Sequence, residues 1–156
     1  MSAETPADSS PSPPSSQDSG EGCVCVLGLL FGAISGYRGS YLAMLPWSAG
    51  GLVIGFVLGI GLGLASGELL KSLPKAIGHA AIIGLNYALT GFLIASLVGS
   101  LVCIGDPLRD GWQTAVVGGI AAYVRSFLVR RWTYPLVASV VTSLKADLCG
   151  DAESPS

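Results

Sequence analysis

Charge is what this chain has least of. Only 12% of its 156 residues are Asp, Glu, Lys or Arg, about half the usual share of a soluble domain. There is one histidine, His79, and there are four cysteines, Cys23, Cys25, Cys103 and Cys149. That is a poor set for zinc, and Cys23-Val24-Cys25 has the wrong spacing for a metal knuckle. The net charge is −2 and the basic residues form no patch longer than Arg130-Arg131, which argues against nucleic acid. A glycine-rich phosphate loop with its lysine, a glycine-flanked nucleophilic serine and paired carboxylates inside an apolar run are all missing. The sequence therefore implies no enzyme, no cofactor and no metal. A carboxylate in mid-span is missing too, because Glu68 stands at the end of its run. This excludes a proton-carrying proteolipid of the ATP-synthase type.

What the chain does have is apolar length. Hydrophobic residues make up 51%, and the mean hydropathy is +0.64. Residues 1–22 stand apart as a Ser/Pro-rich acidic tail without apolar period, expected to be disordered. That tail holds no Lys or Arg, so it resembles neither a cleaved transit peptide nor a secretory signal. Residues 150–156 form a second, short polar tail. Between them, 23–149 reads as a membrane bundle. Three runs match the roughly 20 residues that a helix needs to cross about 30 Å of hydrocarbon: Trp47–Gly67, Gly78–Ile104 and Trp112–Val129. Tyr134–Leu148 is shorter and spans if tilted or sheltered. Cys23–Leu45 contains Arg38, and either spans with that charge buried or snorkelling, or lies at the interface. The fold class is thus all-α, a compact bundle of four or five transmembrane helices joined by short connections.

Glycine supplies the packing signal. Gly51, Gly55, Gly59, Gly63 and Gly67 recur every fourth residue, although each costs a helix in water about 1 kcal/mol against alanine. In lipid, helices associate through close backbone contact, and small residues on one face permit it. Gly28, Gly32 and Gly36 repeat the pattern in the first run, as do Gly118, Gly119 and Ala122 in a later one. Gly84, Ala88, Phe92 and Ser96 give a weaker version.

Few polar groups interrupt the runs. Asn86 and Thr90 lie one turn apart and serve either a polar path or interhelical hydrogen bonding. Arg125, one turn from the end of its run, either snorkels toward Arg130 and Arg131 or holds a charge in a cavity. Asp106 and Asp110 flank Pro107 in a turn and are candidates to cap the following helix. With Trp47–Gly67 as the first of four spans, Lys71, Lys75, Arg130 and Arg131 share one side, which becomes the inner one. Both termini then lie opposite, provided Cys23–Leu45 does not cross. On that side Cys23 or Cys25 can pair with Cys103 or Cys149; otherwise the four cysteines are small apolar residues.

The stretch "GDPLRDGWQTAVVGGIAAYVRS" resembles the signature of the Tim seventeen, twenty-two and twenty-three family, small four-helix proteins of mitochondrial protein import with relatives in respiratory complex I and plastid envelopes. Asp106-Pro107 matches its aspartate–proline start, Gly118-Gly119 its paired glycine, and "GLLFGAISGYRGS" its glycine-rich first span. Val102, Thr114 and Gly91 depart from the pattern. The resemblance implies a non-enzymatic subunit of a mitochondrial inner-membrane complex, embedded in lipid among other membrane subunits and engaged in preprotein translocation. An accessory subunit of complex I is the alternative within the family. A small-solute channel with Asn86, Thr90 and Arg125 along its path is the alternative outside it.

Overall fold

A computed structural model describes residues 17–67 and 71–150. Residues 1–16, 68–70 and 151–156 lie outside the described residues, and with them most of the acidic tail expected to be disordered. The described residues are helical and contain no strand. Helix α1 spans Gln17–Gly36, α2 spans Tyr41–Ala65 and α3 spans Leu73–Val102. Helix α4, Gly111–Leu128, runs through a π-helical segment, Val129–Thr133, into α5, Tyr134–Gly150. At 25 and 30 residues, α2 and α3 are long and apolar enough to cross a membrane.

The element ends follow local chemistry. Pro74 sits in the first turn of α3, where a missing N–H costs nothing. Cys103 closes α3 in the left-handed region, at φ 55°. The Asp106 carboxylate accepts the Leu108 N–H at 3.0 Å, shaping the turn before α4. Asp110 holds the N-cap position of α4, but neither acid caps that helix through its side chain. Gly67, expected in the packing stripe, instead ends α2 at φ +67° with open space around it. It takes the left-handed position that follows a helix C-terminus and strongly favours glycine.

Two antiparallel pairs dominate the packing, α2 on α3 and α1 on α4; α3 also touches α1 and α4, which joins the pairs. The other glycines of the stripes lie at these seams. A β-carbon added at Gly55 would lie 2.7 Å from Gly84 Cα, and one at Gly63 would lie 3.2 Å from Ala76 Cβ. Gly51 faces the Tyr87 carbonyl and Gly59 faces Ala80 Cα. Across the other seam, Gly28 meets Ser126, Gly32 meets the Gly118 carbonyl, Gly36 meets the Thr114 carbonyl, and Gly119 lies against Leu29. The interior is accordingly built of small groups. Ala76, Ala80, Ala88, Ala95, Ala121 and Ala122 are buried, and the largest fully buried side chains are Met44, Thr114 and Ser96. Most large aliphatic and aromatic side chains point outward.

Four boundaries differ from the sequence reading. Helix α1 begins at Gln17, inside the expected tail. The run Cys23–Leu45 is two elements, because the chain turns at Tyr37–Ser40; Arg38 lies exposed in that turn and donates to Cys103 Sγ at 3.7 Å. Pro46, expected to open a span, lies inside α2. Finally, "RRWTYP" does not reverse the chain. Pro135 cannot donate to the Arg131 carbonyl, and the wider π turn takes up that mismatch, with the Tyr134 N–H bonded to the Val129 carbonyl. Helical structure thus continues from α4 into α5, and Tyr134–Leu148 does not return along the bundle. Gln17, Ser66, Ser72 and α5 consequently lie toward one end, with Lys71, Lys75, Arg130 and Arg131. Arg38 and the 103–110 turn lie at the other.

This arrangement overturns the expected bridge from Cys23 or Cys25 to Cys103. Cys25 lies near Arg130, whereas Cys103 lies by Arg38. The 11 residues of helix between Cys25 and Gly36 alone cover about 16 Å, against the roughly 7 Å that a disulfide tolerates. All four cysteines are free. Alkylation of the unfolded chain without reductant is expected to modify all four; protection of any pair until reductant is added would contradict the structure.

The seam makes a second prediction. Gly59→Leu is expected to destabilise the protein by about 1–3 kcal/mol in thermal unfolding followed by circular dichroism. Gly61→Leu, where an added β-carbon meets nothing within 4 Å, is expected to be neutral. Equal effects would mean that the α2–α3 contact is not limiting.

Candidate functional site

Arg125 and Thr90 meet where α4 crosses α3. The Arg125 Nε donates to Thr90 Oγ1 at 2.8 Å, and that hydroxyl donates to the Asn86 backbone carbonyl at 2.7 Å. The three residues form a short relay across the seam, with a threonine hydroxyl serving once as acceptor and once as donor. The Asn86 side chain is not part of it. Asn86 is buried, and its Oδ1 has no hydrogen-bond partner. Of the three polar residues that the sequence reading found within apolar runs, two are thus joined through side chains and the third through its backbone.

Arg125 does not lie near a helix end, because the helix does not stop at Val129. It sits opposite Thr90, near the middle of α3, with about 25 Å of helix to Leu73 and about 18 Å to Val102. Only the Nε has a partner: among the described residues, no carboxylate and no further hydrogen-bond acceptor meets the two terminal nitrogens. The side chain is half-buried. It lines a cavity of about 190 Å³ with Gly28, Phe31, Leu93, Ile94, Leu97 and Ser126.

The cavity owes its place to the helix arrangement. Helices α1 and α2 make little contact with each other, so the face of α3 between them stays open. A second cavity, of about 490 Å³, lies on the α2 side of the same face. Pro46, Trp47, Ile54, Tyr87 and Gly91 line it, and Ile94 is common to both cavities. Together they form a lateral groove with α3 as its floor. Its lining is mostly apolar, and Arg125 is the one charged side chain among the residues that line it. Gly91, which carries no stripe signal in the sequence, lets α3 approach the Trp47 carbonyl there.

Ser126 was not singled out by sequence because a lone serine in an apolar run usually bonds its own helix, as this one does to the Ala122 carbonyl at 2.8 Å. Its role in the groove depends on Gly28 opposite, a contact between distant segments. Gly118 and Gly119 face α1, and Asp106-Pro107 stands at the far turn, away from Arg125. Among the described residues no group of His, Cys, Asp and Glu is arranged to hold a metal. A comparison with family models, curated proteins and solved structures finds no match.

Loss of the Thr90 acceptor leaves a half-buried guanidinium nitrogen unsatisfied. Thr90→Val and Arg125→Met, alone and together, are expected to show a coupling of about 1 kcal/mol in a double-mutant cycle of unfolding. Additive effects would mean that the bond contributes nothing.

Proposed function

We propose that the chain is a membrane-embedded, non-enzymatic subunit of a hetero-oligomeric complex, and that its groove receives a polypeptide segment or partner helix within the bilayer. The observation that carries this reading is a half-buried arginine, without a counter-charge, opening on to an otherwise apolar lateral groove. A charge held at membrane depth is costly and marks function by default. The outward display of large apolar side chains over a core of alanine, glycine and serine supports the membrane setting, where small residues mediate helix contact. So does the aromatic placement. Trp112 and Trp132 are 62% and 51% exposed and are separated by about 30 Å of helix, the thickness of a hydrocarbon core with an aromatic belt at each face.

Among the functions that the sequence suggests, preprotein translocation in the mitochondrial inner membrane fits the groove best. A channel for a small solute would enclose Arg125 and Thr90 in a pore between the helices. Here the polar relay meets a cavity open to the side, which suits a segment that enters from lipid or from a neighbouring subunit. The positive-inside rule assigns the end with Lys71, Lys75, Arg130 and Arg131 to the matrix. With α1 to α4 as the four crossings in this reading, Gln17 and α5 belong on that same side rather than in the intermembrane space.

Arg125→Gln tests the reading, since it keeps a polar side chain near Thr90 and removes the charge. The variant is expected to resist carbonate extraction as the native chain does, yet to lose co-migration with import components on native gels. Co-migration of the native chain with complex I would move the assignment to that branch. Native complexes unaffected by the substitution would contradict a role for the charge.

A further inference from the structure

At the basic end of the bundle two cations, Lys75 and Arg131, line one cavity. Lys75 and His79 lie one turn apart on α3, and Arg131 and Trp132 come from the π-helical segment that runs antiparallel to it. With Ile82 and Leu136 they line a cavity of about 410 Å³. None of the residues lining it is acidic. Arg131 also borders a further cavity of about 200 Å³, where Arg130, Tyr123 and Phe127 join it. The π segment thus carries cationic side chains into concave sites on both sides of its helix.

We propose that the cavity between α3 and the π segment binds the phosphate of an anionic phospholipid. The inference rests on the membrane reading given above. Arginine offers a planar fork of donors to phosphate oxygens, and lysine adds a compact positive charge. Two long, flexible cations on separate helices close on a single anion without an intervening carboxylate. Ile82 and Leu136 supply an apolar wall for the first part of an acyl chain, and the half-exposed Trp132 ring belongs at headgroup depth. Basic pockets between helices on the inner side of a membrane recognise anionic headgroups in this way. A zwitterionic lipid would bring an ammonium group to a cavity whose lining, among the described residues, holds no acid to meet it.

The full chain, purified with its native sequence, is first floated with vesicles of phosphatidylcholine alone, then assayed by native mass spectrometry for retained phosphatidylglycerol against phosphatidylcholine. Co-flotation followed by preferential retention of phosphatidylglycerol is expected. Lys75→Gln and Arg131→Gln are each expected to weaken that preference about fivefold, with unchanged circular dichroism. Arg109→Gln, at the opposite end, is expected to leave it intact. A chain that does not float overturns the membrane reading and this proposal with it. A chain that floats without a phosphatidylglycerol preference, or whose preference survives both substitutions, overturns the proposal alone. Displacement of the lipid by inorganic phosphate would assign the cavity to a free anion and overturn it as well.

Discussion

Backbone-to-backbone approach along two antiparallel helix seams is the constraint on which the other features depend. At Gly55 and Gly32 the facing helix comes so near that a single β-carbon would collide with its backbone. The seams therefore accept little besides glycine, alanine and serine, and the large apolar side chains are turned outward. In water such an arrangement would leave the hydrophobic driving force unused. In a bilayer it is consistent, because lipid solvates the outer surface and association relies on dispersion and close contact.

The same pairing creates the groove. Each seam draws two helices together, α2 to α3 and α1 to α4, while α1 and α2 make little contact. The exposed strip of α3 is the consequence, and it is where the relay from Arg125 to Thr90 reaches the surface. One hydrogen bond to Nε orients the guanidinium while leaving its outer nitrogens available. A carboxylate or backbone carbonyl from another chain would find there a charged donor in a poorly screened setting, where such bonds are strongest.

The seams were legible in the sequence because a four-residue recurrence of glycine has few other physical explanations in an apolar helix. The existence of the runs was legible for a similar reason, since length and hydropathy need no tertiary knowledge. What failed was punctuation. Pro46 and Pro135 suggested boundaries, yet a helix among other helices absorbs proline, at Pro135 through a π turn. Gly67 continued the arithmetic of the stripe but served a backbone conformation instead. Arg38 was the better boundary, a charge in the turn that separates α1 from α2. Misplacing these breaks also suggested a pairing of Cys23 or Cys25 with Cys103 that the length of α1 forbids. Within the site, Thr90 and Arg125 were visible as polar residues in apolar runs. Their meeting was not, because it depends on the register of α3 against α4. Lys75 and Arg131 escaped for the same reason: each reads alone as an ordinary boundary charge.

We propose a membrane bundle of four crossings, α1 to α4, after which α5 does not return. Its most direct test is the sidedness of single cysteines in sealed membranes, probed with an impermeant maleimide. The account predicts that Ser72→Cys and the native Cys149 react from the same face and that Arg109→Cys reacts from the opposite one. Labelling of Cys149 from the face of Arg109→Cys would mean that the last run crosses back. Labelling of all three from both faces would remove the membrane itself from the account.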